Sequence, residues 1–322
     1  MTTARIPYPS HPYQSSASLA AMLIQNGLSG ISQHDLAQKI DLAGYYRLKG
    51  YWYPFLTKDQ TNIGKRKLPF QPGTAWNTIE ERYTFDQELR NIVFDGIVTI
   101  EVFLKSNISS ELAKANGPLG YIQATDLPNL SLKEYQKALN CFLRDFERSS
   151  LPHLEHFKRT YSDALPPVWM LVDSMTYGEF KISLYKGADS SIKEHLAAKL
   201  GIVTGKVSHG NERLLGDWME TLRVARNMAA HHERLWNSKS KKLQPAIPRS
   251  NPNNPVWWGN DWDPFRTTKG PAAFLTMEYY LLKQLGVAQW RTNFVNLMNR
   301  YPNIPLNQMG FPANWQSLPI WQ

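Results

Sequence analysis

Hydrophobic residues recur every three or four positions over most of this chain, which is the spacing of one face of an α-helix. The longest such pattern covers residues 83–115. Shorter ones cover 17–25, 32–42, 131–148, 151–161, 169–185, 190–200, 271–285 and 290–301, and the one at 169–185 is expected to be interrupted or bent around Gly178. Alternating patterns typical of β-strands are scarce and short. The sequence therefore predicts a mainly α fold, a helical bundle with the long helix as its spine.

One further helical pattern carries most of the chemically reactive side chains. It covers residues 211–237, in which the apolar stripe consists of Leu215, Trp218, Leu222, Ala225 and Ala229. The polar side of the same stretch carries Glu220, Arg223, Arg226, Asn227, His231 and Arg234. An arginine, an amide and an imidazole are therefore expected together near the end of one helix.

Changes in composition divide the chain into three predicted regions. Residues 1–80 form a small N-terminal helical and aromatic extension, 81–240 form the helical bundle, and 241–322 form a loop followed by a helical extension. The 322 residues suffice for two domains or for one domain with additions, and a hydrophobic content of 42% allows a buried core.

The net charge of +9 favours polyanionic partners, nucleic acid first, because basic proteins attract them at long range. Much of this positive charge lies in residues 221–242, in the second half of the reactive helix and just beyond it. Residues 221–242 contain one acid, Glu233, and six basic residues, namely Arg223, Arg226, Arg234, Lys239, Lys241 and Lys242. Their local charge of about +5 predicts a phosphodiester substrate.

Other classes of site are disfavoured by the sequence. Cys141 is the single cysteine, so a disulfide within the chain and a zinc cluster of thiolates are excluded. The acids are dispersed, and we expect neither a metal nor a cofactor. The N-terminus lacks the apolar core of a signal peptide, and no run approaches the roughly 18 apolar residues of a membrane-spanning helix. We therefore expect a cytoplasmic protein that contacts no membrane.

An aromatic segment, GYYRLKGYWYPF, covers residues 44–55 and places Arg47 and Lys49 between its rings. Aromatic rings interleaved with cations can stack nucleic-acid bases and contact phosphates. The alternative, which we favour, is a tight aromatic corner of the core.

Arg226 and His231 are five positions apart, which on an ideal helix separates them by about 140° and about 7.5 Å of rise. Both can contact one phosphate only if the helix ends after Ala230, or if two copies meet in a two-fold dimer. RNA supplies its own nucleophile, the 2′-hydroxyl. Histidine can move protons and arginine can stabilise phosphoryl charge without a metal. Alternatively, His231, His232 and Arg234 only complement the helix dipole.

Five ordered motifs resemble those of the Abi family, the abortive-infection proteins of the AbiD and AbiF kind. They are the aromatic segment 44–55, FDQELRNIVFDGIVTIEVFLKS (85–106), LPPVWMLVDSMTYGEF (165–180), ARNMAAHHERLWN (225–237) and MGFPANW (309–315). The family is similar to the HEPN superfamily, helical bundles in which an Arg-x4-6-His motif cleaves RNA without a metal, usually as a homodimer.

The resemblance implies roles for particular residues. Arg226, Asn227 and His231 match the motif's arginine, its following polar residue and its histidine, and Glu101 matches an acid of the long helix that would position Arg226. Lys105 stands where many relatives are expected to have arginine, so the charge is kept but the bidentate fork is lost. The predicted RNA contacts are Arg223, Arg234, Lys105, Arg47 and Lys49.

The predicted function is accordingly that of a bacterial anti-phage protein, a metal-independent endoribonuclease that leaves a 2′,3′-cyclic phosphate. Two alternatives stay open. The chain could be a non-catalytic RNA-binding module that holds a cognate small RNA, or a helical interaction protein with no nucleic-acid role.

Overall fold

The computed structural model describes residues 13–57, 68–203 and 210–322. These residues are mainly helical, as predicted, and their only strand-like pairing is two isolated β-bridges. The chain divides into two compact units, residues 1–87 and 88–322. A search of the described helices found none with the length and apolar character needed to cross a membrane.

The first unit contains three short helices, α1 (Ser16–Gln25), α2 (Gln33–Ala43) and α3 (Tyr45–Trp52), the last followed by a 3₁₀ turn at Tyr53–Phe55. The Ser32 hydroxyl accepts a hydrogen bond from the Asp35 N–H (3.1 Å), and Ser32 is therefore the N-cap of α2. The core of this unit is built from one apolar side of each helix. Its buried residues include Leu23, Leu36, Ile40, Leu48, Tyr51, Trp52 and Phe85.

The aromatic segment 44–55 is divided between the core and the surface. Tyr51 and Trp52 are buried, and the Tyr51 hydroxyl donates to the buried Asp86 Oδ2 (2.6 Å). Tyr46 and Tyr53 are exposed instead, with 79% and 53% of their surface accessible. The expected aromatic corner of the core is therefore confirmed for Tyr51 and Trp52, whereas Tyr46 and Tyr53 face solvent.

The long predicted helix is α4 (Trp76–Asn116), which starts earlier than the pattern indicates and crosses from the first unit into the second. Gly117 follows with a φ of +81° and ends the helix. The apolar residues along one face of α4 are buried, namely Phe85, Leu89, Val93, Ile97, Ile100, Leu104 and Ile108. The next helices are α5 (Leu132–Arg148), α6 (Pro152–Thr160), α7 (Val168–Ser174), α8 (Tyr177–Phe180) and α9 (Ser190–Lys199).

The predicted helix at 169–185 is interrupted. It consists of α7, a break at Met175 and Thr176, then α8, which continues into a π-helical turn at Lys181–Tyr185. The Thr176 hydroxyl accepts from the Glu179 N–H, and the Glu179 carboxylate accepts from the Thr176 N–H in return. This capping box starts a new helix, so the interruption lies at Met175 and Thr176, just before the position expected for it around Gly178.

The reactive helix is α10 (Asn211–Ala230), and all five residues of its predicted apolar stripe are buried. The chain then continues through 3₁₀ turns at Lys241–Leu243 and Trp258–Phe265 to α11 (Ala272–Gln284), α12 (Gln289–Arg300) and α13 (Leu306–Met309). Two more 3₁₀ turns, Trp315–Ser317 and Pro319–Trp321, complete the chain.

Helix α11 is buried on every side over residues 272–282, as is typical of a helix at the centre of a core. No boundary between compact units falls near residue 240, where the composition suggests that an extension begins. The C-terminal segment therefore contributes to the same core as α10. Periodicity cannot reveal this, because it identifies helices without saying which of them pack together.

A buried carboxyl group lies where α11 approaches α4. The Glu278 Oε1 accepts a hydrogen bond from the Trp290 indole N–H (3.1 Å), and a side chain at Gly96 would collide with both groups. Burial raises the pKa of Glu278 well above its ordinary value. The carboxyl is therefore protonated in the folded protein over a range of pH in which an exposed carboxyl is ionised.

Replacing Glu278 by glutamine should change how stability depends on pH. Above about pH 4.5, the ordinary pKa of this group, the unfolded chain releases a proton that the folded protein keeps. Rising pH therefore reduces the free energy of unfolding, by up to about 1.4 kcal/mol per pH unit. Glu278→Gln lacks this contribution, so its stability relative to wild type should increase with pH. Denaturant unfolding of both proteins between pH 5 and 8 measures this, and parallel curves would contradict it.

Candidate functional site

Helix α10 ends after Ala230, which is one of the two conditions for bringing Arg226 and His231 towards one ligand. His231 is the C-cap residue, it is exposed, and its N–H donates to the Asn227 carbonyl (2.9 Å). The His232 N–H then donates to Ala229, and the Glu233 N–H to Met228. This is the pattern of a Schellman motif, in which the chain reverses at a left-handed residue.

The left-handed position of this motif is held by His232, with a φ of +58°, and not by the usual glycine. A non-glycine residue in this conformation costs about 1 kcal/mol or more. The strain lies directly beside the imidazole of His231. The geometry of the helix end is therefore imposed by its surroundings rather than by local backbone preference.

In contrast to Arg223 on the same helix, Arg226 on α10 forms no ion pair with any described residue. Its guanidinium lies 5.7 Å from the centre of the Phe94 ring on α4, and its Nε is buried without a hydrogen-bond partner in the described part of the chain. The aromatic face holds the group in place by a cation–π contact without neutralising it. A guanidinium with unused donors is suited to binding an anion.

Arg223, one turn earlier, is in a different state. Its Nε and Nη2 donate to the two oxygens of Glu220 (3.1 and 2.6 Å), and Lys181 Nζ lies 2.9 Å from the same carboxylate. Hydrogen bonding to Arg223, followed by that to Lys181, lowers the pKa of Glu220 to about 2. Much of the charge of Arg223 is therefore neutralised within the protein, which argues against the RNA contact predicted for it.

Glu101 and Lys105 form an ion pair on α4, with Lys105 Nζ 2.9 Å from Glu101 Oε1. The side chains are only 13% and 12% exposed for Lys105 and Glu101, respectively, and Lys105 also donates to the Met175 carbonyl (2.6 Å). Lys105 thus holds the break between α7 and α8 against α4 and is not free for a phosphate. The ion-pair partner of Glu101 among the described residues is Lys105, and the positioning of Arg226 by Glu101 stays a prediction.

Tyr177 is a residue of this region that the sequence analysis missed. It is fully buried, its hydroxyl has no hydrogen-bond partner among the residues described, and burial raises its pKa well above the ordinary value, with a further contribution from the charge of Glu101. Glu220 and Arg223 act on the same hydroxyl electrostatically, so the residue lies between the ion pairs of α4 and α10. The signal available in the sequence was the position of Tyr177 within the 165–180 motif.

The remaining predicted RNA contacts have different surroundings. Arg234 interacts with another group of the protein. Arg47 is exposed and Lys49 is half-buried, and both belong to the first unit. The described residues contain no group of three or more His, Cys, Asp or Glu side chains arranged to hold a metal ion.

Comparison with protein families places this arrangement in a known group. The model of the family described as "Abi-like protein" matches residues 38–237, which is more than half of the chain. The chain belongs to the Abi-like family. A search of curated proteins and a search of solved structures each found no match.

The Abi-like match covers every residue predicted for the site and ends at Asn237, shortly after the Schellman motif of α10. It does not cover α11, α12 or the tryptophans of the C-terminal segment, although these belong to the same compact unit as α10. The residues predicted for the site therefore lie within the matched range, whereas part of the core of the same compact unit lies beyond it.

Proposed function

We propose that this Abi-like protein acts in abortive infection against phage as an endoribonuclease that needs no metal ion. The observation that carries the proposal is the end of α10. There the buried Nε of Arg226 has no hydrogen-bond partner among the described residues, and His231 is exposed five residues later. The fold would then be a HEPN-like bundle, and Arg226, Asn227 and His231 its Arg-x4-His motif.

Cleavage would follow the chemistry of RNA itself. The 2′-oxygen attacks the adjacent phosphorus as the 2′-hydroxyl loses its proton, and the bond from phosphorus to the 5′-oxygen breaks as that oxygen gains a proton. The products are a 2′,3′-cyclic phosphate and a 5′-hydroxyl. His231 moves protons, and the guanidinium of Arg226 stabilises the charge on the phosphoryl oxygens.

The Arg-x4-His motif supplies one imidazole from each chain, that of His231, which suggests how two copies would cooperate. The step needs one group that accepts a proton and one that donates a proton, and a single His231 cannot be in both states at once. In a two-fold dimer, the second copy would supply the other imidazole. The exposure of His231 supports this arrangement, because a partner can reach it.

Several side chains would then act at a distance from the RNA. The Glu101–Lys105 pair and the Glu220–Arg223 pair hold the elements around Arg226, with Tyr177 between them. In this proposal they position α10 and the α7–α8 break, while Arg226 is the cation that contacts the phosphate.

Arg226→Lys should reduce RNA cleavage in EDTA by about 10²-fold, the usual cost of losing one stabilising donor of this kind. Lysine keeps the charge but cannot present a planar fork to a phosphate. Single-turnover cleavage of labelled RNA measures the rate, and the cyclic phosphate is identified on the product by its resistance to phosphatase until acid opens it.

The matched control is Arg223→Lys, one turn earlier on the same helix. Arg223 is bound to Glu220, and a lysine at this position can keep that ion pair, so this replacement should leave cleavage close to the wild-type rate. Equal losses in the two variants would contradict a special role for Arg226. If neither wild type nor variant cleaves RNA that the protein nevertheless binds, the alternative of a non-catalytic RNA-binding module is favoured.

A further inference from the structure

One face of α3 presents aromatic rings and a cation to solvent. Tyr46, Lys49 and Tyr53 follow each other at intervals of three and four residues, so they lie on the same side of the helix and its continuing turn. Gly50, which has no side chain, occupies the middle of this side. Arg47 is exposed next to it, and we call these four side chains, Tyr46, Arg47, Lys49 and Tyr53, the α3 face.

Exposed tyrosines of this kind need an explanation, because large rings are usually buried. The ring of Tyr46 is held edge-to-face against Tyr45, with centroids 5.4 Å apart, and Tyr45 packs in the same way on the buried Trp52 (5.3 Å). A ring supported from below loses little conformational freedom when a ligand covers it. The surface is therefore already organised for a flat partner.

The two cations of the α3 face have unused charge. Neither Arg47 nor Lys49 forms an ion pair with any described residue, whereas Lys39 in the same unit is paired with Glu80. Two free cations beside two exposed rings complement a ligand that is both negatively charged and aromatic. A single-stranded nucleic acid has both properties, since its phosphates are charged and its bases are not hidden by pairing.

We propose that the α3 face binds single-stranded RNA, with bases stacked on Tyr46 and Tyr53 and phosphates contacted by Arg47 and Lys49. The rings are seven residues apart, about 10.5 Å along the helix axis. That spacing suits two bases that are not neighbours in the strand. The choice of RNA as the nucleic acid rests on the proposed function, while the stacking and the single-stranded character rest on the face itself.

The test uses the full chain carrying His231→Ala, so that bound RNA is not cut, and a short fluorescent oligouridylate. Tyr46→Ala with Tyr53→Ala should weaken binding by about tenfold for each ring. Tyr46→Phe with Tyr53→Phe should bind like the parent, because phenylalanine stacks equally well. A duplex of the same length should bind more weakly than the single strand and should not respond to the tyrosine replacements.

The cations are tested separately through the salt dependence of binding. Arg47→Gln with Lys49→Gln should reduce the slope of log K against log salt by about 1.4, because each lost phosphate contact on a single strand contributes about 0.7. The control pair, Lys133→Gln with Lys137→Gln, removes the same charge from exposed positions on α5 and should leave the slope unchanged. The salt-dependence measurement still tests the proposal if the variant with Tyr46 and Tyr53 replaced by alanine does not fold.

Two results would overturn the α3 face as an RNA site. One is that the variant with both tyrosines replaced by alanine binds RNA like the parent. The other is that the Arg47/Lys49 pair and the control Lys133/Lys137 pair change the salt slope equally. Either result is separate from failure of the proposed function. If wild type cleaves RNA through His231 while the alanine pair binds normally, only the α3 face is wrong. If the tyrosines are needed for binding and no condition yields cleavage dependent on His231, only the nuclease is wrong.

Discussion

His231→Ala should reduce RNA cleavage in EDTA by about 10²- to 10⁴-fold, which is the contribution of a positioned proton-transfer group. The free energy of unfolding should stay close to that of wild type, because the imidazole is exposed at the end of α10. Single-turnover rates on labelled RNA, with and without extract from phage-infected cells, measure the loss. A denaturant titration of the same preparations verifies the fold.

The neighbouring histidine provides the control. His232 has a left-handed backbone, so replacing it by glycine keeps the Schellman motif and removes strain, whereas alanine would not. His232→Gly should therefore cleave at the wild-type rate. If His231→Ala cleaves like wild type in every activating condition, or if the glycine variant loses as much, His231 is not the proton-transfer group.

Trp218→Ala should lower the free energy of unfolding by about 3–5 kcal/mol, the cost of removing a large buried aromatic side chain. Trp218 is fully buried on α10, and its ring lies 5.3 Å from that of Trp262 and 5.9 Å from that of Tyr280. Its indole N–H donates to the Ala246 carbonyl (2.7 Å). The substitution therefore leaves a cavity and an unpaired carbonyl where the C-terminal segment packs on α10.

The matched control is Trp169→Ala, because Trp169 is a tryptophan of the same unit with 46% of its surface exposed. It should change stability by no more than about 0.5 kcal/mol. Guanidinium unfolding followed by circular dichroism gives both midpoints and both slopes. Similar midpoints for the two variants would mean that the C-terminal segment does not stabilise α10 through this cluster.

Helix positions and buried faces were predictable because they depend on spacing along the chain. The stripe on α10 and the apolar face of α4 are both buried as their periodicity indicates. The interruption expected around Gly178 is present, but its position at Met175 and Thr176 was not predicted, since it depends on a capping box at Thr176. The Glu101–Lys105 pair was also predictable, because residues four apart meet on any helix.

The sequence could not show which of the predicted cations are free to contact a phosphate and which already form ion pairs within the protein. Arg223, Lys105 and Arg226 are all basic residues predicted for the site. Arg223 and Lys105 each form an ion pair with a glutamate, whereas Arg226 forms none with a described residue. Lys105 meets the carbonyl of Met175, 70 residues away, and Glu220, the partner of Arg223, is also held by Lys181, 39 residues away. Such partners are brought together only by the packing of separate helices.

The sequence by itself therefore determined that the chain is mainly helical, which faces are buried, and which residues belong to an Abi-like motif. The tertiary structure alone decided which of the basic groups form ion pairs within the protein and which tyrosines face solvent. It also decided that the C-terminal segment forms one core with α10. The physical reason is the range of the interactions. Periodicity and capping act within a few residues, whereas ion pairing and burial depend on groups that meet only after folding.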